Sequence, residues 1–456
     1  MFSKILIANR GEIAHRIIRA CREMGIETVA VYSEADKASR HLSLAHEKVC
    51  IGPPISAKSY LKMEAILEAA HRTGADAIHP GYGYLAESEE FALACRERGL
   101  AFIGPSPENL RLAGDKIAAK KIVRDAGVPI IPSSEKAVGT AEEAAALSRD
   151  MGYPVMIKSS GGGGGRGIRV CPDEDTLAEE FPIAKMEARA AFGRDGLYIE
   201  KCIPEPRHIE FQVLADRYGQ IIHLGERECT IQRRYQKLIE EAPSPRLTPE
   251  LRDAMGNAAM KAARAMEYFN AGTIEFLLDR DNRFYFMEIN ARIQVEHPVT
   301  ELTTGIDLVK EQIRLSSGEK LGYSLKDINR RGWAIECRIN AEDPERDFAP
   351  CPGTIERYVP PGGFGVRLDT HLYQGYELPV FYDSLMAKLI CYDLTRNGAI
   401  TIMRRALEEF TIEPVKTLIP LYLKVMDDPL FRAGEFSTDY IEKFLPADHN
   451  DEDNDT

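Results

Sequence analysis

Short apolar runs and helical spacings take turns along the first hundred residues. Lys4-Ile5-Leu6-Ile7-Ala8 is apolar, and after the turn Asn9-Arg10-Gly11-Glu12 the residues Ile13, Ile17, Ala20, Cys21 and Met24 recur at helical intervals. Thr28-Val29-Ala30-Val31-Tyr32 follows, so the pattern predicts a strand, a helix and a second strand parallel to the first. Two more strand-and-loop signals, Ala75 to Gly81 and Leu100 to Pro105, enclose a helical pattern from Ser88 to Arg98. This succession reads as an open, mainly parallel α/β sheet.

The pattern changes at Ala126-Gly127-Val128-Pro129. Beyond it, a helical stretch (Ala141 to Asp150) leads to the strand-like Pro154-Val155-Met156-Ile157-Lys158, a glycine-rich loop, and the strand-like Gly167-Ile168-Arg169-Val170. Residues 131–202 are therefore expected to form a small lobe between proline-bearing joints, able to close over a ligand. Ile209, Phe211 and Val213, then Ile221, Ile222 and Leu224, mark further strands; Pro249 to Tyr268 opens a helix on proline, and Gly272 to Asn290 has the form of a hairpin. From Arg331 onward the runs are mostly strand-like, with Pro360-Pro361-Gly362-Gly363 as a turn and Asn397 to Glu409 as a helix.

Composition narrows the class. A chain of 456 residues, 44% hydrophobic and 28% charged, can fill one large or two to three ordinary cores. Its 58 basic and 71 acidic residues leave a net charge of −13, which argues against nonspecific binding to nucleic acid or to an anionic membrane. Nine scattered cysteines, with no CxxC pair and no Cys/His cluster at zinc spacing, read as reduced thiols. No apolar run reaches membrane-helix length and the chain leads straight into a strand, so no signal peptide is expected and the predicted location is the cytoplasm. Five acids among the last nine residues predict a solvated tail.

Three features carry candidate chemistry. In the run Gly161 to Gly167, Gly163, Gly164 and Gly165 lie mid-loop; amides without a Cβ in the way can wrap phosphate oxygens, and Lys158 and Arg166 supply charge. A strand-like run follows this loop where a dinucleotide fold would have a helix, and the Walker lysine is missing. In the hairpin, a symmetric turn centred between Asp281 and Asn282 sets Glu275 opposite Glu288. Carboxylates so opposed, about 5 Å apart at Cβ, repel unless a cation such as Mg²⁺ lies between them. Finally Glu288, Asn290, Arg292, Gln294 and Glu296 alternate with Ile289, Ala291, Ile293 and Val295, so an extended chain puts the five polar groups on one side, with a bend expected before His297-Pro298. The basic loop Arg233 to Lys237 and Arg338 read alone as solvated or ion-paired cations.

Taken in order, Ile7-Ala8-Asn9-Arg10-Gly11-Glu12-Ile13-Ala14, His79-Pro80-Gly81-Tyr82-Gly83, Gly114-Asp115-Lys116, the glycine loop, Gln232-Arg233-Arg234, Glu240-Glu241-Ala242-Pro243, Glu288 to Val299 and Tyr382-Asp383-Ser384 resemble biotin carboxylase, of the ATP-grasp superfamily. The resemblance runs to about Leu445 and implies a Rossmann-like N-terminal domain (1–130), an ATP-grasp domain with a mobile glycine-loop lid (131–202) and a core (203–330), a mixed α+β C-terminal domain (331–446) and a tail (447–456). It also implies ATP-dependent carboxylation of biotin with bicarbonate, through carboxyphosphate. Positions matching Lys116, Lys158, Glu200, Lys201, Ile203, His208, Gln232 and Tyr235 would surround ATP; Glu275, Glu288 and Asn290 would bind Mg²⁺ or Mn²⁺. Lys237, Arg292, Gln294 and Val295 match the bicarbonate pocket, Glu296 the base, and Arg338 the cation facing the biotin enolate. Tyr235 stands where the family commonly has histidine.

A biotinylation motif and room for a carboxyltransferase are both missing, so the expected partners are a biotin carboxyl carrier protein, carboxyltransferase subunits and a second copy in a homodimer. Acetyl-CoA carboxylase, hence fatty acid biosynthesis, is the expected setting, with pyruvate or another acyl-CoA carboxylase as the alternative. Two rival readings are a different ATP-grasp ligase and a nucleotide sensor without turnover. The first should lack the Arg292, Gln294, Glu296 and Arg338 set, and the second should have lost metal ligands or the base.

Overall fold

A computed structural model describes residues 1–159, 168–192 and 196–445. The glycine run within the expected lid, with Gly163, Gly164 and Gly165, and the acidic tail lie outside the described residues.

Five strands form the first sheet: β1 (Lys4–Ile7), β2 (Glu27–Ser33), β3 (Glu47–Gly52), β4 (Ala77–His79) and β5 (Ala101–Phe102), in the order β3-β2-β1-β4-β5. Every pair is parallel, so the sheet is wholly and not mainly so. Strand order reverses between β1 and β4, and at such a switch the loops leaving the strand ends diverge to form a crevice. Asn9 ties those two loops together, its Nδ2 donating to the carbonyls of Pro80 and Tyr82, each at 2.7 Å. Gly81 is required there, since its φ is +64° and a Cβ would lie 3.0 Å from the Asn9 Nδ2.

The small lobe has its own antiparallel sheet of β6 (Val155–Ser159), β7 (Arg169–Cys171) and β8 (Leu197–Lys201), ordered β7-β6-β8. Helices Ala141–Met151 and Glu174–Phe192 close a core of its own around Val155, Ile157, Leu177 and Leu197. A strand does follow the glycine run, as its sequence context predicts.

The largest sheet draws on β9 (Arg207–Ala215), β10 (Ile221–Arg233), β11 (Gln236–Ala242), β12 (Asn270–Leu278), β13 (Phe284–Asn290) and β14 (Trp333–Asn340). Short strands β15 (Glu342–Asp343), β16 (Ala349–Pro350) and β17 (Arg357–Val359) come next, then β18 (Val366–Thr370), β19 (Leu385–Asp393) and β20 (Thr411–Glu413), which pairs with β17. Eight of these form one antiparallel sheet, β13-β12-β9-β10-β11-β14-β19-β18, which runs through the boundary expected at residue 330. The two faces of β14 differ. Ile335, Cys337 and Ile339 join the core beneath helix Arg396–Glu409, while Ala334 packs with Ala242, Ile390 and Val299 of helix His297–Thr304 on the other side.

The last segment departs from its strand-like reading. Ile419–Asp427, Pro429–Ala433 and Tyr440–Phe444 are helices, because Leu418, Leu421, Tyr422, Val425 and Met426 bury against the same core at helical spacing. A short apolar run does not by itself distinguish helix from strand.

Candidate active site

A cleft of about 1690 Å³ opens between the small lobe, the large sheet and the loops after β1 and β4. Lys116, Lys158, Glu200, Ile203, His208, Gln232 and Tyr235 line one part of it. Lys237, Glu275, Glu288, Asn290, Arg292, Gln294, Val295, Glu296 and Arg338 line the rest. Lys201 is the exception. Its amine turns back to donate to the carbonyls of Gly152 and Tyr153, at 2.8 and 3.0 Å, and it does not line the cleft.

Local structure explains most placements. Asp115 caps helix Lys116–Asp125 by accepting from the Ala118 amide at 3.0 Å, which fixes Lys116 at the helix entry. Lys116 reaches Glu288 at 2.7 Å. Lys158 and Lys120 both contact the buried Glu200, which the two ammonium groups, working against burial, hold down to about 2. Arg234 and Tyr235 form the two-residue turn between β10 and β11, both at positive φ (+48° and +64°), the conformation that tight hairpins demand and bulky residues resist.

The β12/β13 hairpin sets Glu275 opposite Glu288, but not by a symmetric turn. Leu278 pairs with Phe284 and Phe276 with Phe286, one residue out of that register; a bulge at Met287 restores the offset. Past Asn290 the strand ends, yet Arg292, Gln294 and Glu296 still face the cleft while Ala291 and Ile293 are fully buried, so the common face extends beyond Arg292.

Charge at the centre is dense and paired. Lys237 binds Glu210 and Glu296 at 2.7 Å each and Glu275 at 3.2 Å. Glu275 also meets His208 at 2.8 Å, Gln294 at 2.7 Å and Asn290 at 2.5 Å; burial pushes its carboxyl up, and Lys237 and then His208 more than offset that and hold it far below the ordinary range. Glu296, the residue before helix His297–Thr304, accepts from Arg338 at 2.9 Å; burial pushes its carboxyl up, and Lys237, Arg338 and Arg227 more than offset that. Arg292 contacts Glu87 at 3.1 Å.

Several residues of this network escape the sequence reading. Arg227, with no solvent exposure, donates to Glu210 (2.5 Å), Gln212 (2.7 Å), Thr300 (3.0 Å), Thr273 (3.0 Å) and Gln294 (2.7 Å). Lys388, equally buried, contacts Glu12 at 3.1 Å and the Val295 carbonyl at 3.0 Å, and Tyr82 donates to Glu12. A signal for Glu210 was present: His208, Glu210 and Gln212 alternate with Ile209, Phe211 and Val213, as the line from Glu288 does.

Three family models cover the chain: biotin carboxylase N-terminal domain over residues 1–110, carbamoyl-phosphate synthase L chain ATP-binding domain over 115–324, and biotin carboxylase C-terminal domain over 336–443. Biotin carboxylase 1 of Bacillus subtilis is 55% identical over 445 residues, spanning 97% of this chain and 99% of that one. The chain belongs to the biotin carboxylase family. It is accordingly an ATP-dependent ligase. One pyruvate carboxylase subunit, from Methanothermobacter thermautotrophicus, is 54% identical over 97% of this chain and 90% of that one. The biotin carboxylase domain dimer of Hydrogenobacter thermophilus 2-oxoglutarate carboxylase, solved with MgADP, ADP and bicarbonate, superposes with a TM-score of 0.95 at 52% identity, over 97% and 98% of the two chains. In this biotin carboxylase family member the α/β fold, the parallel first sheet and the antiparallel second sheet are those of the family, and no helix among the described residues is long and apolar enough to cross a membrane.

Proposed function

We propose that the cleft carboxylates biotin carried on a biotin carboxyl carrier protein, using ATP and bicarbonate. The observation that carries this reading is the placing of Glu296 between Lys237 at 2.7 Å and Arg338 at 2.9 Å, with Arg292 and Gln294 beside it on the cleft wall. An ionised carboxylate among cations suits a small anion that must give up a proton.

Bicarbonate sits against Lys237, Arg292, Gln294 and Val295, and Glu296 takes its O–H proton. Sharing Lys237 with the incoming anion raises the proton affinity of Glu296 from the low value its cations now impose. The freed oxygen attacks the γ-phosphorus of ATP, the bond to ADP breaks, and carboxyphosphate results. Lys116 and Lys158 face the phosphates, and Glu200, Lys201, Ile203, His208, Gln232 and Tyr235 surround the nucleotide. Glu275, Glu288 and Asn290 offer the hard oxygen donors that suit Mg²⁺ or Mn²⁺, and the two acids, opposed in register, are met here by Lys116 on Glu288 and by Lys237 and His208 on Glu275. That metal ion, when bound, neutralises charge on the transferring phosphate. Carboxyphosphate then yields CO₂ and phosphate; the released phosphate takes the ureido N–H proton of biotin, Arg338 holds the negative ureido oxygen so formed, and the biotin nitrogen bonds the CO₂.

We assign residues 1–130 as the N-terminal domain, 131–202 as the lid, 203–330 as the ATP-grasp core, 331–446 as the C-terminal domain and 447–456 as a tail; the separate core of the small lobe supports the lid assignment. Carboxyltransferase subunits and a homodimeric arrangement belong to the same proposal, supported by relatives named as subunits and by the solved dimer. For the final acceptor we propose acetyl-CoA, with pyruvate as a second reading favoured by the likeness to the pyruvate carboxylase subunit of Methanothermobacter thermautotrophicus.

The test is phosphate release from ATP with Mg²⁺ and bicarbonate, with and without free biotin, together with transfer of labelled bicarbonate carbon. Biotin-stimulated cleavage with labelled biotin is expected; Glu296→Ala and Arg338→Ala should abolish it while ATP still binds. Near-normal carboxylation by Glu296→Ala would overturn the base assignment, and cleavage without label on biotin or on biotinylated carrier would overturn the acceptor.

A further inference from the structure

The strands that line the cleft continue behind it, and there a second pair of acids is opposed. Glu240 on β11 pairs in register with Glu336 on β14, and neither has any solvent exposure. Directly opposed Cβ atoms lie about 5 Å apart, so the two carboxyls crowd one another in a dry interior. One side is answered, because Arg338 holds the Glu240 Oε1 through both its Nε and its NH2, each at 2.6 Å. The other is not: among the described residues, neither oxygen of Glu336 nor the Oε2 of Glu240 has a hydrogen-bond partner.

Two buried neighbouring carboxyls with one bonded cation do not both ionise readily. Burial acts most strongly on Glu336, which is raised well above the ordinary carboxyl range. Glu240, bonded to Arg338, is pushed up by burial only to about 7. The charged and titratable groups around it are Arg338, Glu336 and Cys337 on β14, Lys237 on β11, Cys229 on β10, Glu296 before helix His297–Thr304, and Tyr422 of helix Ile419–Asp427; Lys388 on β19 stands beside Glu336.

Arg338 therefore has two acids, one in front and one behind. The front one, Glu296, becomes neutral when it takes a proton, and at that moment its hold on the guanidinium weakens. We propose that Glu240 is the positioning residue of Arg338, holding the guanidinium through its Nε and NH2 while the contact of NH2 with Glu296 is exchanged for one with the ureido oxygen of biotin. This rests on the role given to Arg338 above. The strand backbone is fixed independently, since the Tyr422 hydroxyl donates to the Arg338 carbonyl at 2.7 Å, so what Glu240 adds is the direction of the side chain.

The test uses the whole enzyme with MgATP, bicarbonate and free biotin. Glu240→Gln should lower biotin-dependent kcat about 10- to 100-fold, the scale of a misaimed catalytic group, with the KM for ATP within about twofold. In an Arg338→Gln background the same change should cost nothing further, because a residue acting only through Arg338 has nothing left to act on. Glu336→Gln, which copies a protonated acid, should stay within about twofold of the parent, a bound no wider than the misaiming loss it is set against. The parent's biotin-dependent rate should lose activity as pH falls through about 7, and Glu240→Gln should lack that limb relative to the parent. Full activity in Glu240→Gln, an added loss in the Arg338→Gln background, or an equal loss in Glu336→Gln would each overturn the proposal. A parent enzyme without biotin-stimulated ATP cleavage would instead overturn the functional reading beneath it.

Discussion

In the five-stranded sheet the inner strands are mostly apolar, with Leu6, Ile7, Val29 and Ile78 fully buried, and the polar residues Asn9, Arg10, Glu12 and Tyr82 begin where strands end. In the eight-stranded sheet Glu210, Arg227, Glu240, Glu275, Glu336 and Lys388 stand on the strands themselves, each at most 2% exposed. Taking an ion out of water costs several kcal/mol unless it is paired, so the charges of the second sheet depend on one another as apolar side chains do not. A sheet can thus serve as a platform whose ends carry chemistry, or it can itself be the site.

That contrast can be broken experimentally. The largest effect should come from Lys237→Gln, which strands Glu210, Glu275 and Glu296 together: biotin-dependent turnover should vanish, and urea unfolding should show a loss of about 3–5 kcal/mol. Arg227→Leu leaves Glu210 and two glutamines without their central donor, and a comparable stability loss of about 3–5 kcal/mol is expected, with ATP cleavage measured alongside. Glu200→Gln tests the small lobe. Its carboxyl sits at about 2, below the ordinary value of 4.5, so its contribution is complete above about 4.5 and is lost as pH falls towards 2. The urea midpoints of parent and variant should accordingly differ most at pH 6 and converge towards pH 3; a gap that stays constant would sink this account. The smallest effect belongs to the parallel sheet, where Ile5→Val should cost about 0.5–1.5 kcal/mol and leave kcat unchanged. A kcat loss there to match Lys237→Gln would erase the distinction between the two sheets.

The same contrast governs what could be read from the sequence. Strands β1, β2, β9, β10, β12 and β13 announce themselves by apolar runs or two-residue alternation, and the polar line from Glu288 to Glu296 stands out because its composition is unlike a solvated face. Arg227, Glu240, Glu336 and Lys388 do not, since one charged residue in one strand looks the same facing water or facing another strand; only the sheet order buries them. Lys201 was legible as a position but not as a direction, because its amine answers carbonyls some 48 or 49 residues earlier. The pairing of Glu275 with Glu288 follows from counting outward from a symmetric turn, yet it is reached through the bulge at Met287.

That bulge separates two lengths of one hairpin. On the cleft side the pairing is counted from Glu275 and Glu288, on the tip side from Phe276 and Phe286, and Met287 absorbs the odd residue between them. It behaves like an expansion joint in a bridge deck. Residues gained or lost at the tip, Asp279 to Arg283, are taken up beyond the joint, so a lineage could lengthen that tip, or an engineer graft an epitope or a fluorophore site there, without shifting the acidic pair by a single pleat.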